Sequence, residues 1–225
     1  MSVCVIPARG GSKRIPRKNI KPFHGLPMIG WSIEAAQQSG LFDRIVVSTD
    51  DAEIAETALS LGAEIPFIRP DDLANDFTAT VPVIAHAIEA LALAPDTPVC
   101  CLYATAPFVQ AGDLTKGLRL LGEGASYAVA LTRFDYPIQR ALRRGNDGEI
   151  SMMDPAQMQT RSQDLEPAWH DAGQFYWALA STWRSDAAVF GGGARGVELP
   201  SHRVVDIDTP DDWTRAEALF RGLRS

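Results

Sequence analysis

Residues 3–40 read VCVIPARGGSKRIPRKNIKPFHGLPMIGWSIEAAQQSG. Val3 to Ile6 form a short apolar run that Pro7 ends, which predicts a strand buried on both faces. A loop carrying Gly10 and Gly11 follows. Met28, Ile29, Trp31, Ser32, Ile33, Ala35 and Ala36 then recur at helical spacing, and Ser39-Gly40 stops them. Strand, glycine-bearing loop and helix are the opening unit of an α/β layer structure.

Working outward, the unit repeats. Arg44 to Ser48 is predicted as a second strand. Asp50 or Asp51 caps a helix running to Leu61, with Ile54, Ala55, Ala58 and Leu59 turned inward and Gly62 closing it. Glu64 to Ile68 is expected to be a third strand and Val81 to Leu93 a third helix. Pro98 to Tyr103 reads as a fourth strand, Gln110 to Leu121 as a helix and Tyr127 to Thr132 as a strand. This alternation predicts a doubly wound, mainly parallel sheet whose ligands bind beyond the carboxyl ends of its strands. Between about 134 and 170 the rhythm breaks into Pro-, Gln-, Arg- and Met-rich sequence, with a strand-like piece at Ile138 to Leu142, and an inserted β-rich segment is expected there. The chain returns through a strand at Gly173 to Trp177, then Val204 to Asp208, read as extended strand, and a helix from Pro210 to Leu223.

With 225 residues, 46% hydrophobic and 22% charged, the chain suits one globular domain. Its net charge is −7, yet no acid precedes Glu34, and six cations (Arg9, Lys13, Arg14, Arg17, Lys18 and Lys21) crowd the first loop. That leaves 15 basic residues against 28 acidic ones elsewhere. A basic island on an acidic body suits a discrete anionic ligand and lacks the broad basic face that nucleic acid needs. Cys4, Cys100 and Cys101 lie in apolar runs with neither disulfide nor zinc spacing, so buried thiols in a reducing, cytoplasmic compartment are expected. No signal peptide precedes the first strand, and no apolar run approaches the roughly 18 residues of a membrane span.

Two constellations carry chemistry. Arg9-Gly-Gly-Ser-Lys13, continued by Arg17-Lys18-Asn19, offers backbone N–H groups and positive charge to phosphates at a strand's carboxyl end. Its order matches neither a Walker loop nor a dinucleotide fingerprint. The second is Asp206-Ile-Asp208-Thr-Pro210. At strand spacing Asp206 and Asp208 project to one side while Ile207 enters the core, and two parallel carboxylates call for a cation, Mg²⁺ in particular. Left open is the plainer reading, in which Asp208 caps the last helix. Together the two point to a nucleoside triphosphate with Mg²⁺, bound by an enzyme or by a non-catalytic nucleotide-binding module.

The runs IPARGGSKRIPRKN, VSTDD (47–51), RPDDLANDFTAT (69–80), TAP (105–107) and DIDT (206–209) resemble the CMP-sugar synthetases, the cytidylyltransferases of sialic-type acids. The resemblance implies a three-layer α/β/α nucleotidyltransferase fold with a small β-rich insertion serving as lid or dimer contact. It also implies a homodimer and transfer of CMP from CTP to a nine-carbon 2-keto sugar acid. TRSQDLEPAWHDAGQFYW (160–177) and CLYATAPF (101–108) are most similar to the pseudaminic acid branch, because Tyr103 stands where sialic acid enzymes carry a glutamine; N-acetylneuraminate and other nonulosonates are the alternatives. Carried over, Arg9, Lys13 and Lys18 hold the triphosphate, with Arg14 beside them and Gly10, Gly11 and Ser12 as backbone contacts. Asn19, Arg69 and Thr80 meet the nucleotide. Lys18, Asp206 and Asp208 are the catalytic set, the last two holding Mg²⁺. Tyr103, Thr105, Arg161, His170, Gln174, Phe175 and Tyr176 are assigned to the sugar, while Arg17 and Lys21 are read as solvated.

Overall fold

The computed structural model describes residues 1–224. Its strands are β1 (Val3–Pro7), β2 (Pro22–Phe23), β3 (Leu26–Pro27), β4 (Arg44–Ser48), β5 (Pro98–Leu102), β6 (Ala128–Arg133), β7 (Leu142–Arg144), β8 (Ile150–Met152), β9 (Trp169–Leu179) and β10 (Arg195–Glu198). The α-helices are α1 (Met28–Ser39), α2 (Ala52–Ser60), α3 (Thr80–Ala90), α4 (Ala111–Gly122), α5 (Ala180–Trp183) and α6 (Pro210–Arg224).

Six strands form one sheet in the order β10-β6-β9-β5-β1-β4. β1 pairs parallel with β4 and β5, and β10 parallel with β6; β9 alone runs antiparallel, between β5 and β6. Side chains alternate across each strand, so the continuous apolar runs feed two cores. Cys4, Ile6, Cys100, Leu102, Phe175 and Trp177 pack under α1, α2 and α4, whereas Val3, Val5, Val99, Cys101 and Tyr176 pack under α3 and α5. The result is a three-layer α/β/α sandwich. All three cysteines are free and buried.

A third cluster stitches the two ends of the chain together: Ile15, Phe23, Met28 and Trp31 from the opening unit meet Val205, Ile207, Trp213 and Phe220. It brings the segment 204–208 to the basic loop across the carboxyl edge of the sheet.

Four local expectations are corrected. Glu64 to Ile68 makes only one parallel bridge, Val46 to Glu64, because Pro66 has no N–H to extend the ladder. Residues 204–208 make no strand either, although Val205 and Ile207 are buried and the alternation survives. Ile138–Arg140 is a 3₁₀ turn after Pro137; the β-rich insertion is instead the hairpin of β7 and β8. Leu59 is exposed, since α2 turns only Ile54, Ala55 and Ala58 inward.

Candidate active site

Gly10 lies where β1 meets the start of α2. Its N–H donates to Asp50 Oδ1 (3.1 Å), and a Cβ there would stand 2.6 Å from Asp51 Oδ2, so only glycine fits. Gly11 has no neighbour within 4 Å of that position. Close backbone approach therefore rests on Gly10 alone, and its amide is already engaged. Ser12 closes the turn by donating its Oγ to Ile15 O (2.7 Å), and buried Asn19 donates to Arg9 O (3.0 Å).

Each of the six loop cations has an anionic or aromatic partner. Arg9 and Lys13 both reach Asp76, at 2.5 Å each, and hold its carboxyl below the usual range, Lys13 contributing most. Arg14 (2.6 Å) and Lys18 (3.0 Å) reach Asp208, and Lys18 also donates to Ile207 O (2.7 Å). Arg17 and Lys21 are not simply solvated. Arg17, in a left-handed conformation (φ 57°), forks onto Asp51 (2.6 and 3.1 Å) and also pairs with Glu53, while Lys21 sits 4.3 Å over the Trp213 ring.

Two cavities open at this edge. The first, about 540 Å³, is bounded by Arg9, Lys13, Lys18, Asn19, Arg69 and Thr80, with Thr105 and Asp208 also on its wall. Arg69 is buried; burial lowers its pKa, and its guanidinium donates to Ser48 Oγ (3.1 Å) and Ser48 O. The second, about 750 Å³, is bounded by Arg133, Asp135, His170, Asp171, Asp206 and Arg215. Tyr103 belongs to both walls, and its hydroxyl shares a hydrogen bond with Thr80 Oγ1 (2.8 Å). Asp208 faces the first cavity and Asp206 the second. Burial, then the negative charge of Asp208, raises the Asp206 carboxyl. Burial also acts to raise Asp208, but the Lys18 hydrogen bond and the charges of Lys18 and Arg14 outweigh it and leave Asp208 low.

Several residues assigned to the sugar lie elsewhere. Arg161 is exposed, ion-paired to Asp164 (2.7 Å), and lines neither cavity. Gln174, Phe175 and Tyr176 are buried in β9: the Phe175 and Tyr176 rings enter the two cores, and the Gln174 side chain turns to Arg203 O (2.6 Å). A bulge around Gly173 (φ 59°) turns Asp171 and His170 toward the second cavity instead. Tyr176 lines neither cavity, but its hydroxyl donates to Asp171 Oδ2 (2.5 Å) on the wall of the second.

Asp76 and Asp171 are site residues that sequence reasoning leaves without a role, and Asp50 and Asp51 are read there only as a helix cap, not as partners of the basic loop. Three of the four stand in the stretches VSTDD and RPDDLANDFTAT, where their excess of carboxylates, set against the acid-free loop, is the signal that could have found them.

Phosphate-matched cations on one bank of a cleft, facing carboxylates on the other at the binding edge of a mainly parallel sheet, are the requirement of nucleotidyl transfer; in class, this chain is a nucleotidyltransferase. More narrowly, it belongs to the cytidylyltransferase family, whose model matches residues 3–169. It is 42% identical over 223 residues to a pseudaminic acid cytidylyltransferase of Campylobacter jejuni, covering 98% of this chain and 96% of that protein. With a CMP-N,N'-diacetyllegionaminic acid synthase of Legionella pneumophila it shares 30% over 228 residues, covering 97% and 95%. In fold it is similar to a CMP:2-keto-3-deoxy-manno-octonic acid synthetase solved with CTP, at a TM-score of 0.72 and 18% identity over 99% of both chains. Among the described residues no helix is long and apolar enough to cross a membrane.

Proposed function

We propose that the protein transfers CMP from CTP to the anomeric hydroxyl of a nonulosonic acid, pseudaminic acid being the sugar, with release of pyrophosphate. One observation carries this reading: two cavities share the Tyr103 wall, and the Asp208/Asp206 pair presents one carboxylate to each. A nucleotide in the first and a sugar acid in the second would meet where these residues converge. Likeness over nearly the whole length to the Campylobacter enzyme supports the choice of sugar.

In this reading the triphosphate replaces Asp76 and Asp208 as partner of Arg9, Lys13 and Lys18. Thr80 and Arg69 face the nucleoside; His170, Asp171 and Arg133 face the sugar acid. The sugar hydroxyl oxygen attacks the α-phosphorus in line and gives its proton to water, the bond from the α-phosphorus to the bridging oxygen of the β-phosphate breaks with its electron pair leaving on pyrophosphate, and Lys18 and Lys13 neutralise that departing group. Asp206 and Asp208 fit Mg²⁺, an ion commonly held by one or two carboxylates plus phosphate oxygens and water, and a cation there would offset both the burial and the Asp208 charge that raise Asp206. Among the described residues no cluster of three or more His, Cys, Asp or Glu side chains could hold a metal, so an ion on these two aspartates would need phosphate oxygens or water as its other ligands. Bound there, Mg²⁺ supplies Lewis-acid neutralisation of the α-phosphate oxygens.

A homodimer in a reducing, cytoplasmic setting completes the proposal. The exposed Leu142, Ile150 and Met153 on and beside the β7–β8 hairpin support the dimer, and the buried free thiols support the setting.

Pyrophosphate release with CTP, Mg²⁺ and a panel of nonulosonic acids tests the reading. Pseudaminic acid is expected to give the highest kcat/KM. A preference for N-acetylneuraminate would replace the sugar assignment, and CTP binding without turnover of any acid would leave a nucleotide-binding module.

A further inference from the structure

Residues 204–208, which carry both carboxylates, have no strand hydrogen bonds to hold them. What lies immediately before them is a buried polar frame. Arg203 is 8% exposed and forks onto Asp113, itself 3% exposed, at 2.5 and 3.1 Å; it also donates to Phe108 O (3.2 Å). The Gln174 side chain, 2% exposed, donates to Arg203 O (2.6 Å). Asp113 in turn accepts from the Gln110 N–H (3.2 Å), the residue that caps α4. Both α4 and β9 are rigid members of the sandwich, so this frame ties the unladdered segment to fixed parts of the fold three residues before Asp206.

A buried arginine–carboxylate pair is weak evidence for net stabilisation, because desolvation offsets most of the attraction. Its two-pronged geometry fixes direction instead. We propose that Asp113, Arg203 and Gln174 are positioning residues that aim Asp206 and Asp208 between the two cavities. Gln174 thus acts on the reaction from behind the site, through a backbone carbonyl, and touches no sugar. The inference rests on the proposed metal role of the two aspartates.

The test uses the full chain with Mn²⁺ as a spectroscopic probe of divalent-ion binding in the presence of CTP, alongside steady-state kinetics. Outer residues that orient metal ligands typically alter affinity or activity by about 10- to 100-fold when changed. Gln174→Met and Arg203→Lys are therefore expected to weaken Mn²⁺ binding by about tenfold or more and to lower kcat similarly, with KM for CTP moving less than about threefold, because the loop cations are untouched. Gln174→Met removes no charge, so it keeps the test open should Arg203→Lys fail to fold. A merely structural role would lower Tm while each folded molecule kept wild-type Mn²⁺ affinity and kcat, and that result would overturn the proposal. Asp208→Asn is the separate control: Mn²⁺ affinity unchanged in that variant refutes the metal reading itself, after which an unchanged kcat in Gln174→Met would dispose of the frame as well.

Discussion

Gly10 and Gly11 look alike in sequence and are unlike in structure. Gly10→Ala would drive a Cβ to 2.6 Å from Asp51 Oδ2 and 2.9 Å from Asp51 Cβ, displacing the loop from α2. An overpacked site of this kind costs about 1–3 kcal/mol, so urea unfolding should show that loss together with a raised KM for CTP. Gly11→Ala meets no neighbour and should change neither by a measurable amount. Asp76 supplies a second residue-scale prediction. Its carboxylate sits on Arg9 and Lys13, two of the three cations proposed to hold the triphosphate, so in that reading it competes with substrate. Asp76→Asn should leave CTP binding equal or severalfold tighter at low ionic strength, with the difference fading as salt screens exposed charge. Weaker binding, measured by calorimetry, would mean that Asp76 holds the two cations in place. The cations were legible in the sequence because no acid interrupts them. Their partners were not, since Asp76 and Asp208 lie 63 and 194 residues away from Lys13 and Arg14 and no spacing rule links them.

At the scale of elements, the capped units were the legible part. Asp51 caps α2 by accepting from the amides of Glu53 (3.0 Å) and Ile54 (2.9 Å), and Gly40 ends α1 in the left-handed conformation, both as composition demands. Extended segments were harder, because an apolar alternation says which residues are buried and not whether a neighbouring strand accepts them. Residues 204–208 keep the alternation without a ladder, and Pro66 prevents one after Glu64. β9 shows the opposite case: the resemblance assigns Phe175 and Tyr176 to the sugar, yet pairing with β5, and for Tyr176 with β6 as well, sends their rings into the cores, while the bulge around Gly173 turns Asp171 and His170 to the second cavity. The Asp51 cap has a pH consequence. The Arg17 hydrogen bond and the α2 amides hold its carboxyl below the usual value near 4, so its contribution is present above that pH and is lost as pH falls through the lowered value. Urea denaturation from pH 6 down to pH 2.5 should show wild type losing stability faster than Asp51→Ala at the acid end. At neutral pH the variant should be less stable by about 1 kcal/mol.

For the whole molecule, the decisive arrangement is that the cations proposed to bind nucleotide and the carboxylates proposed to act in catalysis lie some 190 residues apart in sequence and meet across one core cluster. Ile15 and Trp31 pack with Ile207 and Phe220, and Lys18 reaches Ile207 O and Asp208 across a gap of about 190 residues in sequence. That separation makes the two functions separable by mutation. Asp208→Asn removes the negative charge that pairs with Arg14 and Lys18 while leaving Arg9, Lys13 and the nucleoside wall intact, so two cations lose their counter-charge and can serve a triphosphate. CTP affinity in this variant should therefore be retained or improved by calorimetry, with Tm close to wild type because Asp208 is only half-buried, whereas turnover should fall by at least about 100-fold. Lys18→Ala is the mirror case: it leaves both carboxylates but removes a charge from the nucleotide cavity, so KM for CTP should rise. Full activity in Asp208→Asn, or unchanged CTP affinity and rate in Lys18→Ala, would break the division of labour between the two ends. Equal losses of CTP affinity in both variants would instead make the cleft one indivisible charge network, with Asp208 needed to hold Lys18 in place.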